Sequence, residues 1–259
     1  MSISPIGIFD SGIGGTSIFK EVHALLPNEN KIYLADSNNA PYGTKSKDEI
    51  RDLSIKNSEF LISKGSKLII VACNTATTNA ISYLRESYDI PFIGIEPAIK
   101  PASLNSKTKT VGILATKGTL SSALFHKTAD LYAKDITVIE REGNGIVELI
   151  EAGNIYTEEM RTLLKTYINP MLDAGIDYLV LGCTHYPYLI PILKNMIPSH
   201  VQIIDSGLAV AKQTKAVLQE KNLLNPSKEN PAIQFYTNGN LNVLKWIIED
   251  RYPAAFLNF

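Results

Sequence analysis

The chain has 259 residues, of which 45% are hydrophobic, and its 25 Lys and Arg residues balance 26 Asp and Glu residues to a formal net charge of -1. This composition excludes a disordered chain, a collagen and a coiled coil, and at about 150 residues per domain the length predicts one and a half to two domains. Because a nearly neutral chain offers no positive field to a polyanion, we expect neither nucleic acid nor an acidic membrane surface as the main partner.

Short β-branched runs alternate with longer amphipathic stretches along most of the sequence, a pattern typical of strand–helix–strand units around a parallel sheet. The predicted strands are residues 6–9, 32–35, 68–72, 92–95, 110–114, 136–139, 178–181 and 202–204. Examples of the helical patterns between them are residues 47–63, 157–172 and 208–220. We therefore predict an α/β fold with mainly parallel sheets flanked by helices.

The eight predicted strands divide into two sets of four that can be superimposed in sequence order. Cys73 follows the third strand of the first set, and Cys183 follows the third strand of the second set. The predicted domains are residues 1–97 with 207–259 and residues 98–206. We expect the segment after residue 207 to pack back as helices, with a loop at residues 226–231. Since side-chain identity between the two sets is low, a chance alignment of generic α/β strands remains the alternative.

The sequence predicts neither a membrane span nor a secretory leader. The longest apolar stretches, such as residues 68–73, are far shorter than the roughly 20 residues of a membrane helix. Residues 1–5 lead straight into a predicted strand and do not form a basic and apolar leader. We therefore expect a cytoplasmic protein, in which Cys73 and Cys183 are free thiols.

Polar clusters follow the predicted strands at the edge where parallel strands present their carboxyl ends, and ligands collect at this edge in open α/β sheets. The clusters are residues 10–12, 73–77, 116–119 and 183–185, with the loop 36–43 as a fifth candidate. Taken singly, several of these residues could be simple helix caps, namely Ser11, Asn74, Thr75, Thr116, Thr119 and Thr184. Their coincidence at one edge of the predicted sheets indicates a binding site.

Cys73 and Cys183 each come directly after a buried strand and before a predicted helix. The peptide dipoles at the start of a helix favour the thiolate, which is the form of cysteine that acts as a base or nucleophile. His185 lies two residues after Cys183 and can orient or tune that thiol. The alternative is that both cysteines are small buried side chains without a chemical role. A zinc site has less support, because Cys183 and His185 supply only two neighbouring ligands.

Acidic residues with a possible chemical role occur in two segments. In residues 10–15 the glycine spacing differs from that of phosphate-binding motifs, and Asp10 would repel a phosphate. We interpret Asp10 as placed for a cation or a proton, with a helix cap as the alternative. Glu148 and Glu151 share one face of a predicted helix, which is usually solvated, and the pattern ranks neither residue as catalytic.

Four motifs occur in order between residue 6 and about residue 206. They are Phe9-Asp10-Ser11-Gly12-Ile13-Gly14-Gly15, Pro41-Tyr42-Gly43, Ala72-Cys73-Asn74-Thr75-Ala76 and Gly182-Cys183-Thr184-His185-Tyr186-Pro187. In this combination the sequence resembles the glutamate racemases, which are the cofactor-independent members of the aspartate and glutamate racemase superfamily. The resemblance implies two α/β domains with the active site between them, and interconversion of L- and D-glutamate without a cofactor or a metal.

The resemblance also implies roles for individual residues. It implies that Cys73 and Cys183 are catalytic, that Asp10 assists Cys73, and that Glu151 and His185 assist Cys183, with Glu151 preferred over Glu148 for this position. The implied substrate contacts are Asp10, Ser11, Pro41, Tyr42, Gly43, Asn74, Thr75, Thr116, Thr119, Thr184 and His185. His185 resembles the glutamate branch, because aspartate racemases commonly carry an acidic residue at this position.

The family likeness further implies a bacterial cytoplasmic enzyme, a homodimer, that supplies D-glutamate for peptidoglycan synthesis and so for cell shape. One alternative is a related cysteine-based enzyme on the same scaffold, such as an aspartate racemase, a hydantoin racemase or a decarboxylase. A second alternative is a two-domain protein that binds a small acid without chemistry.

Overall fold

The computed structural model describes residues 2–227 and 229–259. Two residues of the predicted segments therefore lie outside the described residues. They are Met1, in the segment 1–5 that we expected not to be a leader, and Lys228, in the predicted loop 226–231. The strands are β1 (Ile6–Asp10), β2 (Lys31–Ala35), β3 (Leu68–Val71), β4 (Phe92–Gly94), β5 (Thr110–Ala115), β6 (Thr137–Glu142), β7 (Tyr178–Gly182), β8 (Gln202–Ile204), β9 (Ile233–Thr237) and β10 (Ala254–Phe256).

Helices connect most consecutive strands. They are α1 (Thr16–Leu25), α2 (Lys47–Ser63), α3 (Asn74–Ser87), α4 (Ile99–Asn105), α5 (Lys117–Leu120), α6 (Ala123–Tyr132), α7 (Ile146–Glu151), α8 (Glu158–Asp173), α9 (Ile190–Met196), α10 (Gly207–Glu220) and α11 (Leu241–Ile247). Helix α2 begins as its sequence predicts, because Ser46 and Glu49 form a reciprocal capping box. None of the helices in the described residues has both the length and the apolar character of a membrane span.

The strands form two parallel sheets. One sheet has the order β10-β9-β2-β1-β3-β4, and the other has the order β6-β5-β7-β8. All pairings in both sheets are parallel. The order β2-β1-β3-β4 recurs as β6-β5-β7-β8, so the two predicted sets of strands have the same topology, and the predicted α/β fold class is confirmed. The sheets separate the strands at the predicted boundaries, and we retain the division into residues 1–97 with 207–259 and residues 98–206 as a proposal.

The segment after residue 207 differs from the prediction of helices alone. Helix α10 is present, but β9 and β10 follow it and extend the first sheet, with β9 beside β2. Only Phe235 and Thr237 of β9 are buried, and none of the β10 residues is. A partly exposed strand at the margin of a sheet lacks the continuous apolar run that marks the central strands, and this is why the pattern missed both.

Strand β3 shows why the central sheet positions could be predicted. All four of its side chains are fully buried, and they alternate between two separate apolar clusters. Leu68 and Ile70 pack in one cluster, whereas Ile69 and Val71 pack in the other. Because neighbouring side chains of a strand point to opposite faces, a strand covered on both faces must be apolar at every position. The carboxyl end of β3 therefore leads from the interior directly into the Cys73 loop.

A buried ion pair ties the start of the first sheet to the segment after α10. Lys67 Nζ lies 2.6 Å from Glu29 Oε2, and both side chains are only 3% exposed. Glu29 Oε1 also accepts a hydrogen bond from the Asn225 N–H at 2.8 Å, and Lys67 Nζ donates to the Ser2 carbonyl at 2.6 Å. Two charges taken out of water at this distance depend on each other for compensation.

Replacing Lys67 with methionine is expected to lower the free energy of unfolding by about 3 kcal/mol, because the buried Glu29 carboxylate would lose the cation that contacts it and keep only the more distant charge of Lys31. Urea unfolding at pH 7 measures this difference. Lys212→Met on the exposed side of α10 is the matched control and should change the free energy of unfolding by less than about 0.5 kcal/mol. Equal unfolding midpoints for Lys67→Met and Lys212→Met would show that the pair contributes nothing.

Candidate active site

A small cavity lies where the carboxyl ends of β1, β3, β5 and β7 meet, and both cysteines line it. Its lining is Ser11, Pro41, Tyr42, Gly43, Cys73, Asn74, Thr75, Thr116, Val147, Cys183 and His185. Every lining residue except Val147 is one that the sequence singled out. Of the remaining candidates, Thr119 and Glu151 contact the lining residues Thr75 and His185. Asp10 and Thr184 adjoin lining residues in the sequence and form a hydrogen bond with each other. A larger cavity near the amino ends of β2 and β9 contains neither cysteine, so the chemistry places the site in the smaller one.

Cys73 sits at the junction of β3 and α3. Its Sγ accepts a hydrogen bond from the Ala76 N–H at 3.4 Å and donates one to Ser11 Oγ at 3.6 Å. The side chain is 4% exposed, and burial raises the pKa of the Cys73 thiol far above its ordinary value, with the Asp10 charge acting in the same direction. The expected preference of the helix start for a thiolate is therefore outweighed, and Cys73 rests as a thiol.

Cys183 follows β7 and has a different neighbour. Its Sγ lies 3.7 Å from His185 Nδ1, and the opposite ring nitrogen, Nε2, lies 2.5 Å from Glu151 Oε1. Burial alone would lower the pKa of His185, but the hydrogen bonds with Cys183 and Glu151 outweigh it and hold the pKa well above 6.5. His185 is therefore a cation that can stabilise negative charge on the Cys183 sulfur.

Asp10 ends β1 and is fully buried. One carboxylate oxygen accepts hydrogen bonds from the N–H groups of Gly12 and Gly15 at 3.2 and 2.9 Å, and the other accepts one from Thr184 Oγ1 at 3.1 Å. Burial raises the pKa of Asp10 from 3.8 to about 6, although the charge of His185 and the Gly15 N–H oppose the rise. Asp10 is thus a carboxylate that titrates close to neutral pH beside both cysteine loops.

Hydroxyl and amide groups form one wall of the cavity. The Oγ1 atoms of Thr75, Thr116 and Thr119 lie within 2.7 to 3.2 Å of one another. Asn74 Oδ1 is buried and has no hydrogen-bond partner among the described residues. Because an unpaired buried polar atom is costly, this wall suits a polar ligand that supplies the missing partner.

Tyr42 lines the cavity, and its hydroxyl is hydrogen-bonded to residues outside the lining. Tyr42 OH donates to Asp36 Oδ2 at 2.5 Å, and the Asn57 amide contacts the same two groups at 3.3 and 3.1 Å. Asp36 lies in the predicted candidate loop 36–43, but the sequence pattern did not indicate its contact with Tyr42. Asn57 was not among the predicted site residues. Asp36, which does not line the cavity, holds the Tyr42 hydroxyl in place.

The structure distinguishes the two glutamates of α7. Glu151 contacts His185 and also accepts a hydrogen bond from the Ile13 N–H at 2.7 Å, whereas Glu148 is exposed. Val147, on the same helix, lines the cavity and was not predicted. Sequence spacing alone could not separate Glu148 from Glu151, because that choice depends on how closely α7 approaches the loop after β1.

This arrangement provides two buried sulfur atoms in one cavity, each with its own ionisable neighbours. Cys73 has Ser11 and Asp10, and Cys183 has the ion pair of His185 and Glu151. Two such groups can remove a proton from one side of a bound molecule and return a proton from the other. Among residues 2–227 and 229–259, no group of three or more His, Cys, Asp or Glu is placed to hold a metal ion.

Comparisons with known proteins agree with this geometry. A glutamate racemase of Herpetosiphon aurantiacus is 45% identical over 240 residues, which cover 93% of this chain and 94% of that protein. The crystal structure of glutamate racemase from Francisella tularensis in complex with D-glutamate superimposes with a TM-score of 0.85 at 32% identity, over 100% of this chain and 98% of that one.

A second crystal structure is similar to the same extent. It is the Escherichia coli glutamate racemase in complex with L-glutamate and the activator UDP-MurNAc-Ala, with a TM-score of 0.87 at 31% identity, over 98% of this chain and 97% of that one. The family model described as Asp/Glu/Hydantoin racemase matches residues 9–214, which include both cysteine loops. The chain therefore belongs to the Asp/Glu/hydantoin racemase family.

Proposed function

We propose that this protein is a glutamate racemase, an isomerase that interconverts L- and D-glutamate. The observation that carries the proposal is that Cys73 and Cys183, from loops of different sheets, line one cavity. The similar proteins are glutamate racemases, and two of the similar crystal structures hold D-glutamate or L-glutamate. His185 follows Cys183, as the resemblance to the glutamate branch implies.

The proposed mechanism uses the two cysteines as a base and an acid on opposite sides of the α carbon. One sulfur, as the thiolate, removes the α proton, and the thiol of the other cysteine delivers a proton to the opposite face. The bond from the α carbon to the leaving proton breaks as its electron pair moves onto the carbon and the carboxylate, and the new bond forms with inversion. The roles of Cys73 and Cys183 exchange for the other enantiomer.

His185, Glu151 and Asp10 are proposed to control which cysteine carries a proton when the α proton is removed. His185 carries the positive charge that favours the Cys183 thiolate, and Glu151 holds the imidazolium in place. Because burial raises the pKa of the Cys73 thiol, that sulfur needs a change of surroundings to ionise. Under the proposal, the ammonium group of the substrate provides it by pairing with Asp10 and Ser11, which removes the opposing charge of Asp10.

The polar wall receives the rest of the substrate. Asn74, Thr75 and Thr184 are proposed to bind the α-carboxylate, where negative charge grows in the transition state. The Thr184 hydroxyl donates to Asp10 in the structure, so it must exchange that partner when the substrate binds. The backbone N–H groups of Tyr42 and Gly43 are proposed to bind the side-chain carboxylate, with Pro41, Thr116 and Thr119 completing the wall.

Following the resemblance, we propose that the reaction proceeds without pyridoxal phosphate or a metal. Water exclusion and the preorganised donors must then lower the barrier to removal of a weakly acidic proton. We also propose that the protein acts in the cytoplasm as a homodimer, and that its D-glutamate serves peptidoglycan synthesis and cell shape. Sedimentation velocity of the purified protein tests the dimer.

Exchange of the α proton in deuterated water is the deciding experiment. With the purified protein and no added cofactor, L- and D-glutamate should each acquire deuterium at the α carbon, and the circular dichroism of either solution should decay to zero. Parallel incubations with L-aspartate and a hydantoin test the related enzymes. Glutamate binding without any α exchange would contradict the proposal and favour a binding protein.

A further inference from the structure

The loop between β1 and α1 donates backbone N–H groups to the helper carboxylates of both cysteines. Gly12 and Gly15 donate to Asp10 Oδ2 at 3.2 and 2.9 Å, and Ile13 donates to Glu151 Oε1 at 2.7 Å. Asp10 belongs to the first sheet, whereas Glu151 ends α7 beside the second. One short loop therefore contacts the proton helpers on both sides of the cavity.

The approach of Glu151 to this loop leaves no room for a side chain at position 12. A Cβ atom added to Gly12 would lie 1.9 Å from Glu151 Oε1. The Gly14 nitrogen lies 3.2 Å from His185 Nε2. Nε2, however, carries the proton that it donates to Glu151 Oε1, so it does not accept a hydrogen bond from the Gly14 N–H. The hydrogen bond from Ile13 to Glu151 is therefore the principal bond from the loop to this ion pair.

Tyr33 controls the peptide group that makes this bond. It lies on β2, its side chain is fully buried, and its hydroxyl donates to the Gly12 carbonyl at 2.8 Å. The Gly12 carbonyl and the Ile13 N–H are the two ends of one planar peptide unit, so they point in opposite directions. A donor that holds the carbonyl fixes the rotation of the plane and strengthens the N–H as a donor.

The surroundings keep Tyr33 in the role of a donor. Burial raises the pKa of the Tyr33 hydroxyl well above its ordinary value, and the nearby charges of Asp10 and Glu151 act in the same direction. The ring packs against Phe235 of β9 with 5.2 Å between ring centroids. Tyr33 is thus a neutral hydroxyl, held in place by the sheet, behind the loop.

We propose that Tyr33 is a positioning residue, which orients the Gly12–Ile13 peptide so that its N–H holds the Glu151 carboxylate against His185, the neighbour of Cys183. The effect on catalysis rests on the proposed function, whereas the orientation of the peptide does not. Tyr33 does not touch the cavity and acts only through Gly12, Ile13 and Glu151.

The first test of the proposal does not depend on activity. In a ¹⁵N-labelled Tyr33→Phe variant, the Ile13 amide proton should move upfield, and its exchange with deuterated water should accelerate at least about tenfold, because the peptide plane is free to turn away from Glu151. Tyr167→Phe is the matched control: Tyr167 OH also donates to a backbone carbonyl, that of Asn144, at 2.9 Å, but outside the loop. Wild-type Ile13 signals in Tyr33→Phe would overturn the proposal.

The second test measures the proposed reaction. In Tyr33→Phe, kcat should fall about tenfold in each direction with KM changed less than about threefold. Both directions must lose the same factor in kcat/KM, since the enantiomers have equal free energy.

The outcomes of the two tests separate the two proposals. A wild-type kcat in Tyr33→Phe, or a change in KM alone, would overturn the positioning role in catalysis. A wild-type protein that fails to racemise glutamate while Ile13 responds as expected would remove the proposed function and leave the peptide orientation supported. If Tyr33→Phe does not fold, Gly12→Ala is the second test of the proposal, because its methyl group must displace Glu151. A wild-type kcat and wild-type Ile13 exchange in Gly12→Ala would overturn the proposal.

Discussion

Replacing Cys73 with serine is expected to lower racemisation of glutamate at least about 10³-fold in both directions, and Cys183→Ser is expected to have the same effect. A hydroxyl is a far weaker acid than a thiol, so each variant lacks either the base or the acid of the proposed pair. Because the two sulfurs act on the same α carbon in one reaction, the losses should not add in the double variant. Circular dichroism of each enantiomer measures the rates.

Proton exchange without inversion gives the sharper signature of the two cysteines. A variant that retains one cysteine can still remove the α proton of the enantiomer that faces it and return deuterium to the same side. Each single variant should therefore exchange one enantiomer of glutamate in deuterated water, and the two variants should exchange opposite enantiomers. The double variant is the control and should exchange neither. Exchange of both enantiomers by a single variant would show that the cysteines do not act on opposite sides.

Asp10→Asn is expected to lower kcat/KM about 10²-fold or more while making the folded protein more stable at pH 7. Burial raises the pKa of Asp10 from 3.8 to about 6, so the folded protein retains the proton over a pH range in which the unfolded chain has lost it. The contribution of Asp10 to the free energy of unfolding should therefore fall as the pH rises from 4 to 6. Asparagine does not titrate. The free energy of unfolding of Asp10→Asn should therefore exceed that of the wild type by an amount that grows over this range to about 1 to 3 kcal/mol.

Urea unfolding of both proteins between pH 4 and pH 8 checks this prediction. Asp177→Asn is the matched control with the opposite sign. Burial acts to raise the pKa of Asp177, but hydrogen bonds from Ser106, Thr108 and the Lys107 N–H outweigh it and lower the pKa. Asp177 therefore contributes stability that is present above pH 3.8, and its asparagine variant should lose stability there. A difference between Asp10→Asn and wild type that stays constant with pH would contradict the argument.

The fold could be predicted where the sequence carries a continuous apolar signal. All eight predicted strands are present. Central strands such as β3 are covered on both faces and must be apolar at each position, whereas β6 and β8 have no buried residue and were predicted from their β-branched residues. Strands β9 and β10 could not be predicted, since their residues are mostly half-exposed and they exist as strands through their pairing with β2 and with each other. The pairing of β9 with β2 is a tertiary contact over some 200 residues of sequence.

The candidate site could be predicted to the extent that it follows from chain topology. Asp10 ends β1, Ser11, Thr116 and Cys183 directly follow their strands, and Cys73 follows β3 after one residue. Parallel strands bring these points together. The choice of Glu151 over Glu148 and the role of Asp36 depend on contacts between separate segments. The protonation state of Cys73 could not be predicted from the sequence either. The helix start that the sequence shows favours the thiolate, but burial in the folded protein has the larger effect on the pKa of the thiol and raises it.

The placement of β9 and β10 has a consequence for synthesis on the ribosome. The four-stranded sheet is continuous in sequence from residue 110 to residue 204, so it can assemble as soon as that stretch has emerged. The other sheet is completed only when residues 233–256 are made, and until then β2 is an uncovered edge that is open to pairing with a neighbouring nascent chain. Chaperone protection during translation therefore matters most for the first strands to be made.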